Sequence, residues 1–132
     1  RGLGDVYKRQ GYTTVVNLAM NDLNPAVAEE GHLVSGLGMD YIHLPIPFNA
    51  PETKHLRRFC QIMDVLAEDK VLVHCAVKAR VSVFIYKYLT LRRGYSDDAA
   101  TSPLLAEWRS QIEGGQYSQW QVILDAPEEA LE

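Results

Sequence analysis

Positive charge is in short supply. The 132 residues carry 13 lysines and arginines against 17 aspartates and glutamates, for a formal net charge of −4 and a pI near 5.5. That balance sets up no general basic field, so nucleic acid is not an expected partner. Cysteine is scarcer still, with only Cys60 and Cys75. Two cysteines cannot build a disulfide framework; they fit a reducing compartment, and a cytoplasmic location is the expectation. No apolar run approaches the roughly 18–20 residues that cross a bilayer, so no membrane-spanning segment is expected. His32, His43 and His55 have no Cys, Asp or His neighbour at metal-ligand spacing, so neither a metal site nor another cofactor is expected.

What is present suffices for one domain. At 47% hydrophobic residues the chain can bury a real core, and it is too short for two. The first ten residues, RGLGDVYKRQ, can be read codon for codon as the in-frame translation of a transposase-based sequencing adapter and are then expected to be no part of the domain, a native charged lead-in being the alternative. The expected domain covers residues 11–126, with its first elements missing, and residues 127–132 are expected to fray.

Within that span, strand and helix patterns alternate. TTVVNLA (Thr13 to Ala19) is short, β-branched and apolar on both faces, as in a buried parallel strand. A helix follows, starting near Asn24 and Pro25 and stopping at Gly36 or Gly38. MDYIHLPIPF is a second strand, closed by Pro45 and Pro47. In APETKHLRRFCQIMDVLAED, Leu56, Phe59, Cys60, Ile62, Met63 and Leu66 recur at helical spacing, with Thr53 as the cap. KVLVHC is a third strand, VSVFIYKYLTLRRG an apolar helix ended by Gly94, and DDAATSPLLAEWRSQ and YSQWQVILDA are two weaker helical segments anchored by Trp108 and Trp120. This order predicts a three-layer α/β fold, a mostly parallel sheet flanked by helices.

Ligands in such sheets sit beyond the carboxyl ends of the strands, where VLVHCAVKARVS places Cys75. A strand turning tightly into a helix aims backbone N–H groups and the positive helix end at one point, which makes an anion site. The same donors lower the pKa of a thiol there. Arg80 can grip an oxyanion through two parallel hydrogen bonds. Ser82 can donate to the thiolate, His74 can order the loop, and Lys78 adds positive charge. Cys60, on the apolar face of a helix, is expected in the core. His43, alternating with Ile42 and Leu44, is expected to be structural, and NLAMND (Asn17 to Asp22) to border the pocket or to make a turn.

From GYTTVVNLAM through GMDYIHLPIPFNAP to KVLVHCAVKARVS, the chain resembles the bacterial members of the tyrosine and dual-specificity phosphatase superfamily. The resemblance implies a metal-free, phosphocysteine route acting on a phosphorylated protein or small molecule. Cys75 would be the nucleophile and Arg80 the phosphate-binding arginine. The amides of Ala76, Val77, Lys78, Ala79 and Arg80 would form the cradle, and Ser82 would help the thiolate leave. Four residues separate Cys75 from Arg80 where five are usual, similar to the compact Cys-x4-Arg loop of a subgroup related to domains joined to β-lactamase-like hydrolases. The family's acidic residue on the loop after the preceding strand has no aspartate counterpart in PIPFNAPE; Glu52 is the candidate general acid, and it also suits a helix cap. Two alternatives stay open: a rhodanese-like sulfurtransferase carrying a Cys75 persulfide, and a pseudophosphatase that binds phosphate or phosphoprotein without turnover.

Overall fold

Three short runs of residues pair edge to edge and set the frame: β1 (Thr14–Asn17), β2 (Asp40–His43) and β3 (Val71–His74). The computed structural model describes residues 10–19, 33–74 and 79–131, with Ala79 and Arg80 described by their backbone alone. The strands are parallel in the order β2-β1-β3. As the central strand among the described residues, β1 is buried along its whole length, which is why its residues are apolar or small on both faces. The expected strands are longer than the observed ones. Beyond His43 the chain enters Pro45 and Pro47, which lack the N–H a ladder needs.

Side-chain alternation divides the sheet. Val15, Tyr41 and Leu72 share a register row and pack with Val34, Leu37 and Met39 on one face. Val16, Ile42 and Val73 face the main core on the other. Of the helix expected after β1, residues 33–36 are helical and Gly38 turns the chain at φ 83°. Its expected start at Asn24 and Pro25 lies outside the described residues, as do His32, Asn21 and Asp22.

Helix α1 (Thr53–Val65) buries His55, Leu56, Phe59 and Cys60. Thr53 is not its cap: Glu52 occupies that position with extended backbone and closes a capping box with His55, whose Nδ1 accepts the Glu52 N–H at 2.9 Å. Helix α2 (Ala79–Arg92) follows β3 and ends before Gly94, which takes φ 71°. Phe59 of α1 meets Phe84 of α2 edge to face at 5.5 Å, the geometry ring quadrupoles favour.

The first C-terminal segment is two helices, α3 (Asp97–Ala100) and α4 (Pro103–Glu113). Ser96 and Ser102 each cap one, and Pro103, with no N–H to give, can only open a helix. The Tyr86 hydroxyl donates to Asp97 and accepts from Arg109 Nη2 at 3.0 Å, while that guanidinium lies over the Tyr86 ring at 4.7 Å. These contacts join α2, α3 and α4. A 3-10 turn (Ser118–Trp120) leads into α5 (Gln121–Asp125). The tail expected to fray instead holds a 3-10 turn (Glu128–Leu131) against α1, with Leu131 buried as its apolar anchor. Among the described residues, no helix is long and apolar enough to cross a membrane.

Candidate active site

The three strands end in one polar row, because Asn17 is in register with both His43 and His74. Their backbones stay tied one step beyond the strands. Leu18 N–H donates to the His74 carbonyl at 2.8 Å, Leu44 N–H to Asn17 at 2.9 Å, and Ile46 N–H to Leu18 at 3.1 Å. Asn17 is 2% exposed, and a buried amide must be satisfied. Its Nδ2 donates to the Tyr41 hydroxyl and its Oδ1 accepts from the Ala19 N–H, both at 2.9 Å. A His43 ring N–H donates from Nε2 to the Ala19 carbonyl at 2.6 Å, so His43 is the structural histidine expected. Tyr41 escaped the sequence reading, although the period-2 alternation that puts Val15 and Asn17 on one face puts Tyr41 on it as well.

His74 is the last residue of β3, and Ala79 and Arg80 are the first two of α2, with Ser82 in its first turn. His74 and Ser82 are half-buried and hydrogen-bonded or otherwise engaged. Cys75, Ala76, Val77 and Lys78 lie outside the described residues. Helix α2 runs for 14 residues and has no acidic side chain in its first turn, so that turn itself contributes no carboxylate to offset the positive end of its dipole. Asp40 begins β2 and is therefore at the opposite end of the sheet.

Glu52 opens α1 at the end of the loop, residues 44–52, that leaves the carboxyl end of β2. It caps the helix and lies 3.8 Å from Lys54 Nζ, exposed to solvent. His55 beneath it is 8% exposed, and burial holds its pKa below the ordinary 6.5, against the pull of Glu52. Cys60 is a core residue: burial pushes its thiol up to about 12, a value incompatible with a nucleophilic thiolate near neutrality. Among the described residues no group of His, Cys, Asp and Glu could hold a metal ion.

No family model matches the sequence, and no curated protein matches it. Solved structures do. A candidate phosphatase (DUF442) from Shewanella putrefaciens CN-32 is 29% identical with a TM-score of 0.78, over 93% of this chain and 75% of that one. Tk-PTP in its active form is 27% identical at TM-score 0.69, over 98% and 85% of the two chains. TpbA of P. aeruginosa, in complex with pTyr, shares the fold at 16% identity and TM-score 0.69, over 98% of this chain and 76% of that one. The chain is thus an α/β protein with the fold of the tyrosine and dual-specificity phosphatases. Its structural neighbours make it phosphatase-like.

Proposed function

We propose that the chain is a cysteine-dependent phosphatase that hydrolyses phosphoesters through a Cys75 phosphocysteine. One juxtaposition carries the reading. Strand β3, at the edge of the sheet among the described residues, ends at His74, immediately before Cys75, and α2 opens with Ala79 and Arg80 after it, in a fold shared with phosphatases.

In this reading Cys75 Sγ attacks phosphorus as the ester P–O bond breaks, and the departing oxygen leaves as alcohol or phenol. Water then attacks phosphorus, the S–P bond breaks, and inorganic phosphate and the thiolate are released. Splitting one hard displacement into two easier ones is the gain from covalent catalysis. Arg80 pairs with the equatorial oxygens, the amides of residues 76–80 and the α2 dipole share the charge, Ser82 supports the thiolate as it leaves, and His74 orders the loop.

Glu52 is the candidate proton donor to the departing oxygen. Its place in the α1 capping box competes with that role, which favours aryl phosphates, whose leaving groups need little protonation. A phosphorylated protein or small molecule with an aryl ester, such as phosphotyrosine, is therefore the substrate class.

Release of p-nitrophenol from p-nitrophenyl phosphate, compared with Cys75→Ser, tests this. Turnover that disappears in the variant supports the phosphatase. No turnover, with a mass gain of one sulfur on Cys75 after thiosulfate, would instead establish a sulfurtransferase. Phosphate binding without either reaction would establish a pseudophosphatase.

A further inference from the structure

We infer that Trp120 is a positioning residue: its indole fixes the loop after β2, residues 44–52, as a preformed wall of the pocket. That this rim is a phosphoester pocket rests on the function proposed above; that the loop is pinned rests on separate contacts.

The loop is held from both ends. On the sheet side, Ile46 N–H donates to Leu18, whose own N–H donates to His74 next to Cys75, so a continuous run of backbone hydrogen bonds joins the loop to the end of β3. On the far side, Trp120 Nε1 donates to the Phe48 carbonyl at 2.9 Å, and Gln119 Nε2 reaches the same oxygen at 3.4 Å. Trp120 is itself fully buried, so it is a fixed post and not a mobile surface group.

The Phe48 ring is caged as well. It stacks on Trp108 at 5.9 Å, meets Tyr117 edge to face at 5.7 Å and lies 5.8 Å from Trp120. Tyr117 takes φ 52°, the only described non-glycine residue in the left-handed region. A strained backbone persists where its surroundings over-determine it, and here it presents the Tyr117 ring to Phe48. Between the caged Phe48 and the helix cap, Asn49 and Ala50 stand exposed and Pro51 is buried, and Pro47 ahead of Phe48 is half-buried. Such a loop is set before substrate arrives and does not close over it, so residues 46–50, ahead of Glu52, contribute to binding more than to the chemical step.

The test uses the full chain with Trp120→Phe, which keeps a ring and removes the N–H, and the double variant Gln119→Ala/Trp120→Phe, which removes both donors. Ile123→Val, a change at a fully buried neighbour in α5, controls for general loosening. Amide exchange over residues 46–50 should quicken about tenfold in the Trp120 variants, the scale of one lost hydrogen bond, and stay unchanged in Ile123→Val. KM for p-nitrophenyl phosphate should rise about tenfold with kcat within about threefold, as expected when uniform binding is lost. Unchanged exchange in the double variant, or equal quickening in Ile123→Val, would overturn the inference. So would a loosened loop with KM unmoved. If the unaltered chain turns nothing over, the phosphatase reading fails, and the exchange comparison still decides whether Trp120 fixes the loop.

Discussion

Lys87 Nζ lies 2.8 Å from the Leu124 carbonyl oxygen and 2.9 Å from that of Ala126. A lysine in the middle of α2 thereby caps the end of α5, satisfying carbonyls that a helix terminus leaves without partners. Lys87 is 6% exposed, and burial lowers its pKa from the ordinary 10.5, opposed by the charge of Asp125.

Lys87→Met keeps the aliphatic stem and removes the donor, leaving two carbonyls unpaired. The expected cost is about 2 kcal/mol, a fall in Tm of about 8 °C for a domain of this size. The pH dependence has a definite sign. A lysine whose folded pKa is depressed binds its proton more weakly in the native state, so stability rises with pH as the value approaches 10.5. The advantage of the unaltered chain over Lys87→Met should therefore grow between neutrality and pH 10.5. Thermal melts of both proteins across that range measure it, and a gap that shrinks with rising pH would contradict the assignment.

His55 gives the opposite end of the pH scale. Its Nδ1 accepts the Glu52 N–H, which requires the neutral ring or at least an unprotonated Nδ1. Burial lowers its pKa below 6.5. The stability it contributes is complete above 6.5 and is lost as pH falls through the lower folded value. Melts from pH 8 to pH 4.5 should show a decline beginning below 6.5 that is flattened in His55→Gln. An undiminished acid decline in that variant would assign it to other groups.

The outcome in these two regions shows how far local pattern reaches. The β-branched run before Asn17 and the apolar spacing of Leu56, Phe59 and Cys60 report burial directly, because periodicity and burial are the same constraint. Cap identity is less legible. Thr53 and Glu52 are adjacent and both able to cap, and what selects Glu52 is the side chain of His55 three residues on. Pro103 divides a segment that reads as one helix, a signal present in the sequence and outweighed by its helical periodicity. The cage around Phe48 had no local signal at all, since the indole that holds its carbonyl is 72 residues away. For the site itself, the strand reaching His74 was legible from its apolar run, whereas the helix expected from Val81 opens two residues earlier, at Ala79. The rim hydrogen bonds that join Leu18, Ile46 and His74 depend on strand order, which a sequence pattern alone does not fix.

Arg80 tests whether the anion is bound as a planar, bidentate partner. Its backbone is the second residue of α2, close to the helix end where amides and dipole already favour an anion. Arg80→Lys preserves the charge and removes the fork, so a purely electrostatic role would survive the change nearly intact. A phosphoryl-binding arginine does more: it makes two parallel hydrogen bonds to oxygens that gain charge in the transition state. The expected result is a fall in kcat/KM for p-nitrophenyl phosphate of roughly a hundredfold or more, the scale of removing one transition-state donor. Thermal stability should be little changed, because the substitution is conservative in charge and length. A loss of less than about threefold would show that the arginine fork is not what holds the phosphoryl group. The same measurement in Arg80→Ala would then show whether positive charge at this helix end matters at all.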